Sequence, residues 1–232
     1  MIKPKLISFK LCPFAQRAAI VLNHKRVEYD IEYIDLASPP AWFTKLSPLK
    51  KVPILLVGDN VIFDSVVINE YLDEAYPNQL HPQDIIVRAM NRSWIEFGND
   101  CMWSMYHLSM AETEAKYNVI REILVNKFDQ IEKVLIGTPY FNGKAFSLVD
   151  ASYAPFFQYL AYLDEISSGF FDTFRHPKIN IWKSNLLKLE SVKKSCVTEV
   201  GQLYREQLQK RQGYISTLLV ISHGQDIVKS NY

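Results

Sequence analysis

The sequence has few cysteines, few glycines and almost no excess of charge, and each of these absences excludes a class of protein. Three cysteines in 232 residues cannot form a disulfide framework, which favours a reducing compartment. The 26 Lys and Arg residues nearly balance the 25 Asp and Glu residues, whereas a chain that binds nucleic acid over its whole surface should be basic. Eight glycines and 11 prolines are too few for a collagen or a low-complexity linker. We therefore expect a globular protein with no nucleic-acid partner.

Long apolar segments are also missing. The longest candidate, residues 151–163, is too short for a bilayer span, which takes roughly 20 residues. The first residues include lysines but lack the long apolar core of a secretory signal. With 48% hydrophobic residues and a formal net charge of +1, the chain is also unlike a disordered protein. We therefore expect a folded cytoplasmic protein that does not enter membranes.

The hydrophobic pattern changes along the chain. Up to about residue 80, apolar runs alternate with helix-spaced apolar residues in the order β-α-β-α-β-β-α, with strands predicted at 5–9, 28–34, 52–57 and 61–63. Beyond residue 83 only helical patterns recur, at 85–111, 117–135, 148–166, 179–189 and 198–211. The predicted fold class is α/β plus all-α: an N-terminal thioredoxin-like βαβαββα domain over 1–78, a linker over 79–83 and an all-helical domain over 84–232. The first two strands should pair in parallel, and the last two should form a hairpin.

Cys12 stands between the first predicted strand and the first predicted helix, directly before Pro13. Proline suits the first helical position, so Cys12 is predicted to be the N-cap. There its sulfur would face free N–H groups and the positive end of the helix dipole, which favours the nucleophilic thiolate. Ala15 occupies the position where a dithiol centre has its second cysteine, so the thiol would have to form a mixed disulfide with an outside thiol. The alternative is a small buried cysteine with no chemistry.

Two later segments would form a site for that outside thiol. A cis peptide bond before Pro53 would turn the backbone of Val52 toward a peptide-like ligand, the alternative being a plain strand start with a trans proline. Ser65 is predicted to cap the third helix, with Asp64 beside it. A helix N-terminus with a hydroxyl binds a carboxylate, and a neighbouring Asp holds an ammonium. The pair fits an amino-acid head group, such as the γ-glutamyl end of glutathione, although an ordinary helix cap is the alternative.

Taken together, these segments resemble the cytosolic glutathione transferases of the cysteine type, above all the omega class, with some tau-like features. The resemblance covers about residues 5–200, and its motifs lie at 12–17, 51–53, 63–65, 70–74, 146–150 and 176–182. At 146–150, Ser147 and Asp150 also form a carboxylate variant of the capping box at the start of a helix. The family's fold is the one that the hydrophobic pattern predicts, and its members are usually homodimers.

The resemblance implies a catalytic role for Cys12, with Phe14 flanking it as one of the glutathione-binding residues, and glutathione as the co-substrate, with no metal. The second substrate would lie against the helical half, where Trp103, Tyr106 and Tyr159 are candidates by family position. Ordinary core aromatics are the alternative for these three residues.

The resemblance also implies how glutathione would be held. Val52, before a cis Pro53, would pair with the cysteinyl backbone, while Asp64 would hold the γ-glutamyl ammonium and Ser65 its carboxylate. Lys51 matches a tau-type position that contacts the glycyl carboxylate, and a solvated lysine is the alternative there.

The sequence departs from the family pattern in three places. Pro39 stands where the omega pattern has a lysine, and Asp64 is shorter than the usual Glu, which would weaken glutathione binding. The tail after residue 212 has no counterpart, and residues 215–222 would form a strand-like or helical flap over the cleft. Arg17 is expected to be a structural or interface ion-pair residue of the first helix.

These roles imply a glutathione-dependent thiol transferase or reductase, either dehydroascorbate reductase-like or deglutathionylating, that works through a Cys12 mixed disulfide. The alternative is a non-catalytic binding or regulatory protein with this fold, such as a ligand carrier or an RNA-polymerase partner. The polymerase-partner type lacks the cysteine that this chain has. A third hypothesis is reductive or lyase chemistry on a small aromatic or haloacid, which would use the same Cys12.

Overall fold

Four short strands, β1 (Lys5–Ser8), β2 (Asp30–Tyr33), β3 (Ile54–Val57) and β4 (Asn60–Phe63), form one mixed sheet. The computed structural model describes residues 2–167 and 171–219. The strand order is β2-β1-β3-β4, with β1 parallel to β2 and β3 antiparallel to both of its neighbours. The predicted parallel pair and the predicted hairpin are therefore both present.

Helices cover both faces of this sheet. They are α1 (Pro13–His24), α2 (Ala41–Leu46) and α3 (Ser65–Ala75). The small side chains of Ala18 and Ala19 allow α1 to pack closely in the main core, which also contains Leu6 and Leu55 of the sheet. On α2, Phe43 is buried in a separate cluster with apolar residues of the strands.

The rest of the described chain is helical. Its elements are α4 (Ile85–Ser109), α5 (Glu114–Val134), α6 (Leu148–Ile166), α7 (Pro177–Lys188), α8 (Glu190–Lys193) and α9 (Val200–Arg211). The α6 helix is the centre of this half and packs against α1, α4 and α7. The sequence does not predict α8, because four residues are too few to show a helical period.

The predicted cap of α6 is present, whereas the predicted flap is described only in part. Asp150 accepts hydrogen bonds from the backbone N–H of Ser147 at 2.8 Å and from the indole of Trp182 at 2.6 Å, so the predicted cap also joins α6 to α7. Residues 214–219 are helical, and the remainder of the predicted flap, from residue 220 on, lies outside the described residues.

The segment between α3 and α4 is held by Asp73. Its carboxylate accepts hydrogen bonds from the N–H groups of Leu80 at 2.7 Å and His81 at 3.0 Å, and it forms a 2.9 Å ion pair with Lys25. The division of the chain at 79–83 stays a prediction. No helix in the described part of the chain combines the length and the apolar character that crossing a membrane requires.

Candidate active site

Cys12 is the N-cap of α1, as its position before Pro13 predicts. Its sulfur accepts a hydrogen bond from the backbone N–H of Ala15 at 3.4 Å. The thiol also points at the backbone carbonyl oxygen of Val52, 3.9 Å away. The sulfur therefore lies between the start of a helix and the segment that leads into β3.

The predicted thiolate is wrong for the unliganded protein. Burial among protein atoms raises the pKa of the Cys12 thiol from 9.0 to about 11, because the charged form loses hydration. Hydrogen bonds from the N–H groups of Ala15 and Phe14 and the charge of Arg17 lower the pKa, but burial outweighs them. The helix N-terminus therefore makes the thiolate less costly without making it the resting form.

Two cavities share lining residues near this cysteine, which itself lines one of them. We call the first, of about 360 Å³, the aromatic cavity; Cys12 lines it together with all three predicted second-substrate residues, Trp103, Tyr106 and Tyr159. We call the second, of about 450 Å³, the acidic cavity, because Asp64, Glu96 and Asp100 line it. All six residues that the resemblance assigns to glutathione line the acidic cavity: Phe14, Lys51, Val52, Pro53, Asp64 and Ser65.

The wall between the cavities is built from few residues. Phe14, Lys51, Val52 and Trp103 line both of them. The rings of Phe14 and Trp103 lie 5.8 Å apart, so an α1 residue and an α4 residue form one aromatic partition. The fold thus brings the predicted site residues together at the junction of its two halves.

The start of β3 is held in a defined conformation. The Val52–Pro53 peptide bond is cis, as the resemblance implies. Ser47 fixes Lys51, the residue before Val52. The Ser47 hydroxyl donates a hydrogen bond to the carbonyl of Lys51 at 2.9 Å and accepts one from the N–H of Lys51 at 3.0 Å. The backbone of Val52 is thereby held against the acidic cavity.

Asp64, rather than Ser65, is the N-cap of α3, which corrects the sequence prediction. Asp64 has a φ of 72°, and one of its carboxylate oxygens accepts hydrogen bonds from the N–H groups of Val66 at 2.8 Å and Val67 at 3.4 Å. Ser65 is the first helical residue; it is buried as a whole but lines the acidic cavity. Both side chains keep groups free for a ligand: the Ser65 hydroxyl and the second carboxylate oxygen of Asp64.

The aromatic residues differ in exposure. Trp103 and Tyr106 are 46% and 43% exposed on α4, so they are not ordinary core residues. Tyr159 is buried on α6, 4.8 Å from the ring of Tyr204, and still lines the aromatic cavity. Burial raises the pKa of the Tyr159 hydroxyl well above 10.0, so this group is neutral at physiological pH.

The environment of Arg17 could not be predicted from the sequence. This residue is fully buried and makes no ion pair among the described residues. Its Nε donates to the carbonyl of Ser152 at 2.9 Å, another nitrogen donates to the side chain of Asn99, and a third has no partner in the described part of the chain. Burial lowers its pKa to about 10, and its guanidinium lies 5.1 Å from the centre of the Phe14 ring. Arg17 is therefore a buried positive charge beside the predicted catalytic cysteine.

The other two cysteines have separate environments. Cys101 is fully buried on α4, and burial raises its pKa to about 12. Cys196 accepts a hydrogen bond from Gln158 at 3.4 Å and lines, with Cys12, a small pocket behind α1. Among the described residues, no cluster of three or more His, Cys, Asp or Glu side chains is arranged to hold a metal.

Two family models match this chain. The model of the glutathione S-transferase N-terminal domain matches residues 11–75, and that of the C-terminal domain matches residues 93–182. A pig protein, glutathione S-transferase omega-1, is 32% identical over 188 residues, which cover 79% of this chain and 76% of the pig protein. The chain belongs to the glutathione S-transferase family.

This glutathione S-transferase has relatives of both expected classes. Glutathione S-transferase U1 of Arabidopsis thaliana is 31% identical over 199 residues, which cover 83% of this chain and 88% of that protein. The solved structure of a tau-class glutathione S-transferase from mango is similar to this fold with a TM-score of 0.80 and 25% identity, covering 89% of this chain and 98% of the mango chain. The predicted family and fold class are confirmed, and the chain is an enzyme of this family.

Proposed function

We propose that this enzyme is a glutathione transferase of the cysteine type that acts as a glutathione-dependent thiol transferase or reductase, through a mixed disulfide on Cys12. The observation that carries the proposal is the position of the Cys12 sulfur, which lies 3.4 Å from the N–H of Ala15 and 3.9 Å from the carbonyl of Val52. Cys12 lines the aromatic cavity, and Val52 lines both the aromatic and the acidic cavity. A hydroxyl-type residue at this position would only polarise the glutathione thiol, whereas a cysteine can bond to its sulfur.

In this proposal glutathione occupies the acidic cavity. The cis bond before Pro53 leaves the backbone of Val52 to pair with the cysteinyl unit as an added strand would. The Asp64 carboxylate oxygen that does not cap α3 accepts a hydrogen bond from the γ-glutamyl ammonium. The Ser65 hydroxyl donates a hydrogen bond to the γ-glutamyl carboxylate. Lys51, the cation of this cavity, is available for the glycyl carboxylate.

The chemistry then needs only thiols and a disulfide. The Cys12 thiol first loses its proton to water. The thiolate then attacks the glutathionyl sulfur of a mixed disulfide, the old S–S bond breaks, and its electron pair leaves with the acceptor thiolate, which takes a proton from water. Cys12 and glutathione are now joined by the new S–S bond. A second glutathione thiolate attacks that bond, which releases oxidised glutathione and the Cys12 thiolate, and a proton from water restores the thiol. The Ala15 N–H and the Arg17 charge stabilise the thiolate whenever it forms.

We also propose that the enzyme is a homodimer in the cytoplasm. Apolar side chains on β4, α3 and α4 are exposed in the single chain, and they are Phe63, Val67, Ile85, Ile86 and Met90. A second copy that covers them would remove this apolar area from water. Light scattering should report a dimer for the native chain and a monomer for Val67→Glu; a native monomer would contradict the interface.

The cytoplasmic location is proposed because a reducing compartment would keep the Cys12 thiol free.

The central test replaces Cys12 with Ala and assays a glutathionylated peptide and dehydroascorbate. We expect turnover to fall at least about a thousandfold, because the covalent route is lost. The matched control is Cys196→Ala, which removes a partly exposed thiol and should leave turnover unchanged. Unchanged turnover in Cys12→Ala would refute the proposal. Retention on immobilised glutathione distinguishes this proposal from the alternative of a non-catalytic binding or regulatory protein. A protein that neither binds the resin nor turns over substrate fits the non-catalytic role.

A further inference from the structure

We propose that the aromatic cavity selects second substrates that carry a carboxylate on an aromatic body, and that Arg211 binds this carboxylate. The selection of substrates during turnover rests on the proposed thiol transfer, whereas the binding of a carboxylate by Arg211 does not. The starting observation is the contrast in charge between the two cavities. Lys50, Lys51 and Arg211 line the aromatic cavity, and no carboxylate is among its described lining residues. The acidic cavity beside it has three carboxylates and one lysine.

This contrast is local, because the whole chain has a formal net charge of only +1. The cations are surrounded by aromatic rings and methionine side chains, which are poorly hydrated. Such an apolar surrounding strengthens the attraction between these cations and a negatively charged ligand. A neutral apolar ligand would fill such a cavity without using the cations. A ligand with an aromatic body and one negative group would use both the walls and the charge.

Arg211 is held in a fixed orientation at this cavity. One of its nitrogens donates to the hydroxyl of Ser109 at 2.6 Å, and that hydroxyl donates to the carbonyl of Tyr106 at 2.7 Å. The guanidinium carbon also lies 5.2 Å from the centre of the Tyr106 ring, which is a cation–π contact. Ordering the arginine in advance lowers the entropy cost of binding a ligand.

The guanidinium also keeps donors free. Arg211 makes no ion pair among the described residues, and the hydrogen bond to Ser109 uses one N–H of the several that a guanidinium carries. A planar guanidinium with free N–H groups is well suited to a carboxylate, which can accept two parallel hydrogen bonds. The carboxylate of a ligand is therefore the partner that this residue lacks.

The α9 helix presents a continuous face to this cavity. Tyr204, Gln207 and Arg211 all line it, and their spacing places them on one side of a helix. Tyr204 supplies an apolar wall, and Arg211 is the last residue of the helix. The cation is thus attached to a regular element that packs in the core through Leu208, which favours a defined binding position.

The test uses two glutathione mixed disulfides that differ in charge alone, one with 5-thio-2-nitrobenzoate and one with 5-thio-2-nitrobenzamide. Both release a coloured aryl thiolate, and each enzymatic rate is divided by the rate of the uncatalysed reaction with glutathione. We expect kcat/KM of the wild-type enzyme to favour the carboxylate by about tenfold or more, through a lower KM. Equal values for the two compounds would overturn the inference.

Variants then assign the preference to Arg211. Arg211→Gln should lower kcat/KM for the carboxylate about tenfold more than for the amide, and Arg211→Lys should keep part of the preference because the charge remains. The matched control is Arg205→Gln, which removes the same charge from α9 but outside the cavity, where Arg205 pairs with Glu165. An equal loss for both substrates in Arg211→Gln, or a loss of preference in Arg205→Gln, would contradict the role of Arg211.

A binding measurement separates this inference from the proposed function. In the Cys12→Ala protein, calorimetry should show tighter binding of 1-naphthoate than of 1-naphthamide, and Arg211→Gln in that background should remove the difference. If neither mixed disulfide is turned over but naphthoate binding depends on Arg211, the thiol-transfer proposal fails and this inference stands. Equal binding of the two naphthalene compounds overturns the inference whatever the activity, and this comparison does not require the Arg211 variant to fold.

Discussion

The sulfur of Cys12 lies 3.9 Å from the carbonyl oxygen of Val52, although the two residues are 40 positions apart. This contact joins the start of α1 to the segment before β3, and Val52 lines both the aromatic and the acidic cavity. Cys12 is half-buried, and loss of hydration raises the pKa of its thiol. Desolvation therefore outweighs the helix N-terminus in setting the pKa of Cys12.

The reactivity of Cys12 should report this raised pKa. In the unliganded protein we expect the rate of alkylation by iodoacetamide to rise steadily between about pH 7 and pH 10, close to tenfold per unit, because the thiolate fraction grows until pH reaches about 11. Mass spectrometry would follow the peptide that contains Cys12, with Cys12→Ser as the control for background labelling. A rate that is already constant near pH 8 would show that the helix N-terminus has the larger effect.

Asp64 should have two separable roles. Asp64→Asn keeps a capping oxygen for α3, so the free energy of unfolding should change by less than about 0.5 kcal/mol, while glutathione binding weakens about tenfold because the ammonium loses its charged partner. Asp64→Ala should weaken binding as much and also lower the free energy of unfolding by about 1 kcal/mol. Calorimetry and urea denaturation measure the two effects. Full glutathione affinity in Asp64→Asn would contradict the assigned ammonium contact.

Lys25 should be among the most important charges for stability. Its side chain is 1% exposed, and besides the ion pair with Asp73 it donates to the carbonyls of Tyr76 at 3.2 Å and Asn78 at 2.9 Å. Lys25→Met leaves a buried carboxylate without its cation, so we expect the free energy of unfolding to fall by about 3–5 kcal/mol. Denaturation by urea would measure the loss.

The matched control for Lys25 is Lys193→Met. Lys193 pairs with Glu190 at 3.1 Å on the surface, and both side chains are exposed. Exposed pairs contribute less than about 1 kcal/mol, so this variant should be nearly as stable as the wild type. Equal losses in the two lysine variants would mean that burial of the Lys25 pair has no special weight.

Glu70 should make stability depend on acid pH. Burial by itself would raise the pKa of Glu70, but hydrogen bonds from Arg92 and His81 outweigh it and hold the pKa at about 2 instead of 4.5. Because the pKa is lower in the folded state, the stabilisation is complete above about pH 4.5 and is lost as the pH falls toward 2.

The measurement compares the wild type with Glu70→Gln. We expect the wild type to be more stable by about 1–2 kcal/mol near pH 6, a range that allows for screening at this partly exposed site, and the difference to shrink by about half near pH 3. Urea denaturation at both pH values gives the two differences. A difference that stays constant over this range would mean that Glu70 titrates as it does in the unfolded chain.

The parts of the site that depend on neighbouring residues were predicted well. Pro13 at the first helical position makes Cys12 the N-cap, and the pair of Ser147 and Asp150 caps α6, because both patterns act within one turn of a helix. The assignment of Ser65 as the cap of α3 was wrong by one residue. A φ of 72° at Asp64 turns its carboxylate onto the N–H groups of the first turn, and the sequence carries no signal for that backbone angle.

The sequence by itself determined the order of strands and helices, the helix that starts at Cys12 and the family, since each depends on local patterns of residues. Only the tertiary structure decided the charge and solvation of the site. Arg17 is a buried cation because α1 packs against α6, and Arg211 lines the aromatic cavity because α9 comes to lie beside Tyr106 of α4. Burial and charge come from residues far apart in the chain, so the pKa of Cys12 could not be derived from its helix position alone.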